Sequence, residues 1–390
     1  MGYRTYTCPI ARSCGGCEWL AVPYPIQLER KQKAVSELLS AICGADGCSI
    51  DEVVGMAKPI GYRYKAATPL APGTHARIRS GFYAQGTHRI VPCAACLVEH
   101  PQLRPILNNV ARVGERLGIP AYNEDRGRGL LRHAIARRAL YTDDLLLTIV
   151  TNGDRIAHVQ EFVSELRREN PEITSIVQNV NNRRTNAMLG SRTQRLYGPG
   201  TMRDSLLGCN FELGATAFYQ TNPSQTEALY RIALKAAKLS SGMRVLDAYC
   251  GVGTIGLCAA KTTDGIEVVG VEKGEGAVEN ARRNAELNGL EERVRFVRAD
   301  ATQYLCDDAR GRGNYDVVLM DPPRAGSTPE FLGAASDLKP ERIVYISCNP
   351  QTQARDLWLL HNRGWHVRSA TPVDMFPHTK HIETVVSLER

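Results

Sequence analysis

A regular alternation of strand-like and helix-like segments in the C-terminal half constrains the fold more than any other feature of this chain. From about Gly214 onward, short β-branched runs alternate with amphipathic stretches. This alternation predicts a mostly parallel sheet with helices on both faces. The last two strand-like runs have no helix between them, so we expect one strand to join the sheet antiparallel. The predicted strands are residues 243–246, 267–271, 294–297, 316–320, 342–346, 366–370 and 384–388, and the clearest predicted helices are 224–238, 276–288 and 351–362.

The N-terminal half lacks this regular alternation of strand-like and helix-like segments. Proline and glycine joints alternate there with short β-branched runs such as 145–150 and 173–180. A chain of 390 residues is long enough for two cores. We therefore predict an N-terminal and central α+β domain over residues 1–212 and an α/β domain of the class I, Rossmann-like type over residues 213–390, with the boundary near residues 208–214.

The composition is that of an ordinary globular protein, with 43% apolar and 23% charged residues. No apolar run approaches the roughly 20 residues of a membrane-spanning helix, and the N-terminus lacks a hydrophobic signal core. We therefore expect a cytoplasmic, monomeric protein without a membrane partner.

Arginines cluster in two stretches of the N-terminal half, although the net charge of +7 is only modestly basic. Arginine-rich segments with interspersed glycine and asparagine suit a phosphate backbone, and a solvated basic face is the alternative. The clustered residues are Arg126, Arg128, Arg132, Arg137 and Arg138, and then Arg183, Arg184, Arg192 and Arg195.

A glycine turn after the first strand of the C-terminal half indicates a ligand site. Gly251 and Gly253 let the backbone approach a ligand closely, and Glu272 follows the second strand about twenty residues later. In such folds this carboxylate accepts hydrogen bonds from ribose hydroxyls. Asp247, ahead of the turn, favours a ligand with a positively charged end, such as S-adenosylmethionine, over a pyrophosphate. Further acids end the third and fourth strands, which favours a methyltransferase over a nicotinamide enzyme: Asp300 and Asp321.

A thiol and a carboxylate lie at the ends of two later strands. Cys348 follows the run 341–346, and Glu383 begins the last run. Strand ends of one sheet can converge on one pocket. A reaction that first adds a nucleophile and later removes a proton needs this pair of groups.

Three closely spaced cysteines near the N-terminus, Cys8, Cys14 and Cys17, suggest a metal site that needs a fourth ligand. Either Cys93 or Cys96 can supply it, and the four thiols suit zinc or an iron–sulfur cluster equally well. The remaining cysteines apart from Cys348 have no partners in spacing and are interpreted as packing residues: Cys43, Cys48, Cys209, Cys250, Cys258 and Cys306.

Taken together, the motifs of this chain resemble the RNA uracil-5-methyltransferases, and the resemblance covers nearly the whole sequence. In the C-terminal half it rests on residues 218–222, 247–254, 321–326, 347–350 with 354–356, and 374–383. In the N-terminal half it rests on residues 130–133 and 179–181, with Asn186 and Gly190.

This resemblance implies a reaction. A thiolate, here Cys348, adds to C6 of uracil, and the resulting enolate attacks the methyl group of S-adenosylmethionine through C5. Glu383 then removes the C5 proton, and elimination releases the cysteine. The target base must leave its stack to reach the thiol. The residues implied for cofactor binding are Gln220, Tyr249, Thr254, Glu272, Asp300 and Asp321, with Thr254 standing where relatives often have Asn.

The resemblance also bears on the cysteines and the RNA. It favours Cys96 as the fourth ligand, because a proline follows five residues later as in relatives, and it implies a [4Fe–4S] cluster. Many relatives begin with a small all-β RNA-binding domain, TRAM, and only seven residues precede Cys8 here. Among relatives, cluster cysteines without a preceding TRAM domain are typical of enzymes that act on 23S ribosomal RNA, so the resemblance favours that substrate. The T-loop uridine of tRNA is the alternative. A non-catalytic iron–sulfur RNA-binding protein is the hypothesis from another functional class.

Overall fold

The computed structural model describes residues 4–75, 77–185, 187–310 and 313–390. Asn186, part of a family-like segment, lies outside the described residues. In the described part of the chain, none of the helices is both long enough and apolar enough to cross a membrane. The helices are α1 Ala11–Cys14, α2 Tyr24–Ala45, α3 Leu103–Arg116, α4 Val159–Glu169, α5 Pro223–Ala237, α6 Thr254–Thr262, α7 Glu275–Leu287, α8 Ala301–Arg310, α9 Pro329–Asp337 and α10 Pro350–His361. The strands are β1 Lys65–Pro72, β2 Ile78–Tyr83, β3 Ile90–Pro92, β4 Leu131–Arg138, β5 Leu145–Thr151, β6 Ser175–Val180, β7 Arg192–Tyr197, β8 Met202–Leu206, β9 Cys209–Leu213, β10 Arg244–Ala248, β11 Glu267–Glu272, β12 Val294–Arg298, β13 Val317–Met320, β14 Arg342–Ser347, β15 His366–Val373 and β16 Glu383–Glu389.

The first sheet comes from the N-terminal half and has the strand order β3-β2-β1-β4-β5-β6-β7. Its neighbours pair antiparallel except β5 and β6, which are parallel and joined by α4. Strand β5 is buried along its whole length, and α3 and α4 pack against this sheet. The edge strand β7 is mostly exposed.

The second sheet has the order β12-β11-β10-β13-β14-β16-β15. Its first five strands are parallel, and β16 lies antiparallel between β14 and β15. Helices cover both faces, so Val317 and Val318 of one strand enter different cores. The predicted α/β class, all seven predicted strands and the antiparallel addition are confirmed, with strand ends shifted by at most three residues.

Helix α2 belongs to the N-terminal half of the sequence but packs against the second sheet. Its apolar residues Val35, Leu39 and Ile42 share a core with Trp365 and the outer face of that sheet. Two parallel bridges after the helix, Ile50 with Ala370 and Val54 with Val373, extend this contact along β15. The division between residues 212 and 213 stays a prediction, and this packing was not anticipated from the sequence.

Candidate active site

The turn between β10 and α6 has a backbone conformation that favours glycine at two positions. Gly251 and Gly253 have φ angles of 57° and 82°, in the left-handed region. A Cβ atom on Gly253 would lie 2.5 Å from Cζ of Phe296, so this position requires glycine for space as well as for conformation. Tyr249 also has a positive φ, 65°, which marks the turn as constrained.

The carboxylate of Glu272, at the end of β11, is held against this turn. Its Oε2 accepts a hydrogen bond from the Gly251 N–H at 3.2 Å, and its Oε1 accepts one from the Gly274 N–H at 2.6 Å. Each carboxylate oxygen keeps a further lone pair. The group is therefore fixed in position and can still accept hydrogen bonds from a ribose.

Other candidate cofactor residues lie at the carboxyl ends of neighbouring parallel strands. The Tyr249 hydroxyl, after β10, is 3.2 Å from the Ser327 hydroxyl, and its ring packs on Phe331. Asp300, after β12, accepts a hydrogen bond from the Thr302 N–H at 3.0 Å. The edge of a parallel sheet where strands end is where α/β folds bind ligands.

Two further candidate cofactor residues lie in or next to the helices beside this edge. Thr254 begins α6, and its hydroxyl lies 2.9 Å from that of Tyr230. Gln220 lies in the loop between β9 and α5 and keeps part of its surface exposed.

Asp247 has a structural contact that the sequence did not suggest. Its Oδ2 accepts a hydrogen bond from the Gly256 N–H at 2.9 Å, which ties β10 to the first turn of α6. Burial raises the pKa of Asp247 to about 7. This carboxyl therefore helps to hold the glycine turn in place.

Cys348 and Glu383 lie together at the same edge of the second sheet. Cys348 follows β14, and Glu383 is the first residue of β16. Ser347 and Thr384 form the last pair of the antiparallel β14–β16 ladder, and Cys348 and Glu383 are the residues next to them. Asn349 then caps α10, since its side chain accepts a hydrogen bond from the Gln351 N–H at 3.2 Å. The thiol thus lies just before the N-terminus of a helix, a position that favours a thiolate.

The ionisable groups here are coupled. Burial, with the charge of Asp321, raises the pKa of Glu383 to about 8. Burial alone raises the pKa of Asp321 to about 7, although the residue keeps some exposed surface. Burial and the negative charges of Glu383 and Asp321 raise the pKa of the Cys348 thiol, while the Arg324 guanidinium opposes this. Glu383 is thus poised to exchange a proton near neutral pH.

Cys348 faces a cavity of about 370 Å³ that opens to solvent. Arg324, Lys380 and the imidazole of His381 line the same cavity, and the charges of the arginine and the lysine suit a nucleotide. Arg324 was not among the predicted site residues. The Asp-Pro-Pro-Arg segment carried the available signal, because it places this side chain directly after the Asp321 strand end.

The loop that leads to Glu383 is anchored on α2. The Lys31 ammonium is buried and lies 2.5 Å from Asp374 Oδ1, and it also donates to the Phe376 carbonyl at 3.1 Å. Tyr24 donates to the other oxygen of Asp374 at 2.8 Å. Gln27 accepts a hydrogen bond from the His378 N–H at 2.8 Å. No motif in the sequence pointed to these α2 residues.

The predicted metal ligands share one cavity with a fifth cysteine. Cys8, Cys14 and Cys17 surround the short helix α1, and Cys93 and Cys96 reach the same cavity from the loop after β3. Burial, with the charges of the neighbouring cysteines led by Cys96, raises the pKa of Cys17 to about 12. Such thiols deprotonate readily only when a cation binds them.

The sulfur spacing bears on which metal these cysteines fit. Among the described residues, no three of the cysteines bring their sulfurs within 4.8 Å of one another. A tetrahedral zinc site with Zn–S bonds of about 2.3 Å places its sulfurs about 3.8 Å apart. The arrangement is therefore wider than a single zinc ion requires, and thiolate sulfurs are donors in both zinc sites and iron–sulfur clusters.

The arginine clusters divide between core and surface. Arg132 is buried, donates to the Asn181 and Arg183 carbonyls and packs over the Tyr122 ring. Arg137 is also buried. The prediction that these two contact a phosphate backbone is wrong for the described conformation, because both are buried and their guanidinium groups donate to backbone carbonyls, Arg137 to that of Gly214. Exposed members remain: Arg126, Arg128, Arg183, Arg184, Arg192 and Arg195.

Comparison with known proteins shows the family. A family described as tRNA (Uracil-5-)-methyltransferase matches residues 208–390. An uncharacterized RNA methyltransferase of Halalkalibacterium halodurans is 38% identical over 382 residues, which are 98% of this chain and 82% of that protein. The chain belongs to the RNA uracil-5-methyltransferase family. An uncharacterized RNA methyltransferase of Listeria monocytogenes is also 38% identical, over an alignment that includes 98% of this chain and 83% of that protein.

A solved structure supports the same assignment. The crystal structure of Pyrococcus abyssi tRNA (uracil-54, C5)-methyltransferase in complex with S-adenosyl-L-homocysteine superposes with a TM-score of 0.78 at 29% identity. The superposition covers 96% of this chain and 85% of the Pyrococcus abyssi chain. This RNA uracil-5-methyltransferase therefore uses S-adenosylmethionine, and the predicted enzyme class and class I fold are confirmed.

Proposed function

We propose that this enzyme methylates C5 of a uridine through a transient covalent bond between Cys348 and the base. The Cys348 thiolate adds to C6, and the electron pair of the C5–C6 bond moves into the ring as an enolate. Bound S-adenosylmethionine supplies the methyl group that C5 takes. Glu383 removes the C5 proton, the C5–C6 double bond re-forms, and the thiolate leaves.

One observation carries this proposal: Cys348 and Glu383 lie on the same side of one cross-strand pair, Ser347 with Thr384, at the edge of the sheet that also holds the glycine turn. Cys348 faces an open cavity, while Glu383 is buried with its pKa raised to about 8. A base with this pKa is deprotonated to a useful extent near neutral pH. We further propose that Gln220, Tyr249, Thr254, Glu272, Asp300 and Asp321 bind the cofactor.

For the nucleic acid, we propose 23S ribosomal RNA, on the resemblance described from the sequence. The Pyrococcus abyssi enzyme is named for uracil-54 of tRNA, which favours the T-loop uridine of tRNA as a second candidate. The exposed arginines of the N-terminal half would contact the phosphate backbone of either RNA. A cytoplasmic monomer is the form in which we expect the enzyme to work.

For the cysteines, we propose that Cys8, Cys14, Cys17 and Cys96 hold a [4Fe–4S] cluster. The wide sulfur spacing and the shared cavity support iron–sulfur over zinc. The cluster would join the N-terminal segment to the loop after β3, and it takes no part in the methylation steps.

The test combines a methylation assay with a covalent trap. Protein is incubated with methyl-labelled S-adenosylmethionine and unmodified 23S rRNA or tRNA transcripts, and the label is mapped by nuclease digestion and mass spectrometry. We expect 5-methyluridine at one site in the rRNA and none after Cys348→Ala. Cys306→Ala, a cysteine on α8 away from this edge, should keep full activity.

The trap uses RNA that contains 5-fluorouridine, in which fluorine cannot leave C5 as a proton. The parent enzyme should form an adduct that survives denaturing electrophoresis, and the Cys348→Ala variant should not. Near-normal turnover by Cys348→Ala would overturn the addition step. Labelling of tRNA alone would identify the T-loop uridine as the substrate in place of 23S rRNA. Absence of label in any RNA would favour a non-catalytic RNA-binding protein.

A further inference from the structure

Two imidazoles and one carboxylate converge at the end of the second sheet opposite the candidate active site. Asp46 follows α2, His361 ends α10, and His366 begins β15. The Nδ1 atoms of His366 and His361 lie 2.9 and 3.0 Å from the same Asp46 oxygen, Oδ1. One ligand atom from each residue falls within 4.8 Å of the other two. The side chain of Asp46 is completely buried, while both histidines keep part of their surface exposed.

Hydrogen bonding alone leaves this cluster incomplete. The Asp46 carboxylate accepts from the Val367 N–H through Oδ2 at 2.7 Å and contacts His366 through Oδ1. His361 Nδ1 is buried next to Oδ1, but the contact is poorly aligned and the atom makes no hydrogen bond within the described residues. A buried polar atom without a partner costs free energy, so a partner that all three residues share would stabilise this arrangement.

The local field favours a cation. Asp46 lies at the C-terminal end of α2, and His361 is in the last turn of α10. Helix C-termini carry partial negative charge, which disfavours a carboxylate there and favours a positive ion. Zn–N and Zn–O bonds of about 2.0–2.1 Å place tetrahedral ligand atoms roughly 3.3 Å apart, so the Nδ1 atoms at 2.9 and 3.0 Å from Asp46 Oδ1 need to move only a few tenths of an ångström to share an ion with it.

We propose that Asp46, His361 and His366 form a binding site for a divalent transition-metal ion of the zinc class. Asp46 Oδ1 and the two Nδ1 atoms are the protein ligands, and water completes the tetrahedron from the exposed side. Neutral imidazole and carboxylate are donors that zinc accepts, and the mixed set differs from the all-thiol site at the N-terminus. The site is independent of the methylation chemistry.

The bound ion would act as a structural link. It joins the end of α2 to the turn between α10 and β15, which are distant in the sequence. Helix α10 begins two residues after Cys348, so an ion at its far end also restrains the helix that carries the nucleophile at its start. Removing the ion should therefore loosen the contact between α2 and the second sheet more than it changes the active site around Cys348.

The experiment measures zinc stoichiometry and affinity on full-length protein. Protein stripped with EDTA is titrated with ZnCl₂ against a chromophoric chelator, in parallel with the His361→Gln/His366→Gln variant. Zinc can also bind the N-terminal thiols, but equally in both proteins, so the difference isolates the new site. We expect the parent to bind one more equivalent than the double variant, and each single variant, which loses a direct ligand, to weaken that equivalent by at least the roughly 10- to 100-fold that loss of an outer-shell partner costs.

Controls separate metal loss from misfolding. His75→Gln changes an exposed histidine in the turn between β1 and β2 and should keep the extra equivalent. Asp46→Asn retains an oxygen that can accept from the Val367 N–H but loses the charge, and should weaken zinc binding without unfolding the protein. As a second readout, ZnCl₂ should raise the thermal midpoint of the parent by a few degrees more than that of folded single variants. Equal stoichiometry and equal stabilisation in parent and variants would overturn the proposal.

Discussion

Ser347 and Thr384 face each other as the last cross-strand pair of β14 and β16, so Cys348, which follows β14, and Glu383, which begins β16, lie side by side. This geometry couples the two groups electrically as well as in space. The negative charge of Glu383 raises the pKa of the Cys348 thiol, and Arg324 lowers it. In the molecules in which Glu383 is protonated near neutral pH, its carboxyl carries no charge and no longer opposes ionisation of the nucleophile.

The first prediction concerns the pKa of Cys348. Glu383→Gln removes a negative neighbour and should lower this pKa, whereas Arg324→Gln removes a positive neighbour and should raise it. The measurement is the rate of iodoacetamide alkylation of Cys348 between pH 6 and pH 10, followed by mass spectrometry of its peptide. Shifts of the same sign in the two variants would contradict the coupling.

The second prediction concerns stability. Glu383 has a pKa of about 8 in the folded protein and an ordinary value of 4.5 when unfolded. The folded state therefore holds an extra proton between these values, and its stability falls as pH rises through the window from 4.5 to 8. Glu383→Gln does not titrate, so its stability advantage over the parent should grow by on the order of 2–3 kcal/mol between pH 6 and pH 8 and then level off.

Chemical denaturation at several pH values measures this difference. Glu279→Gln on α7 changes an exposed glutamate and should show no such trend. An advantage of Glu383→Gln that shrinks as pH rises would mean that Glu383 is charged in the folded protein at neutral pH.

Much of this edge could be predicted from the sequence because parallel strands end at a common edge. Once the strand positions were known, Tyr249, Glu272, Asp300 and Asp321 had to lie at neighbouring strand ends. Arg324 was not predicted as a site residue, because a single arginine after a proline pair forms no periodic pattern. Its role follows from the cavity that it shares with Cys348, and cavities are formed by residues from distant segments.

The N-terminal half was less predictable for a different reason. The arginine clusters suggested one basic surface, yet Arg132 and Arg137 are buried, because β4 is covered on both faces along nearly its whole length. The apolar stripe of α2 shows that the helix packs on something, but it does not specify which of two sheets is the partner. Only the tertiary structure assigns α2 to the second sheet.

The third prediction distinguishes the two candidates for the fourth cluster ligand. The Cys93 thiol is buried and donates to the Ala95 carbonyl at 3.1 Å, whereas Cys96 is the cysteine whose charge most strongly raises the pKa of Cys17. Cys96→Ser should therefore abolish iron binding, and Cys93→Ser should retain it. Iron content and visible absorption of anaerobically purified protein check this. Iron loss in Cys93→Ser alone would exchange the two roles.

The fourth prediction concerns the buried ion pair that holds the loop before Glu383. Lys31 and Asp374 have side chains that are 1% and 0% exposed, so neither charge is compensated by water. Lys31→Met removes one partner and leaves the carboxylate of Asp374 buried with only Tyr24 and the Phe376 N–H as donors within the described residues. We expect a loss of about 3–5 kcal/mol in the free energy of unfolding.

Lys33→Met is the matched control, because Lys33 lies on the same helix with its side chain 79% exposed, and it should cost less than about 0.5 kcal/mol. Both variants are compared by urea denaturation. The double change Lys31→Met with Asp374→Asn removes the unpaired charge and should recover part of the loss, since the penalty arises from a buried carboxylate rather than from lost packing. Equal losses in the single and double variants would assign the effect to the stem of Lys31 and not to its charge.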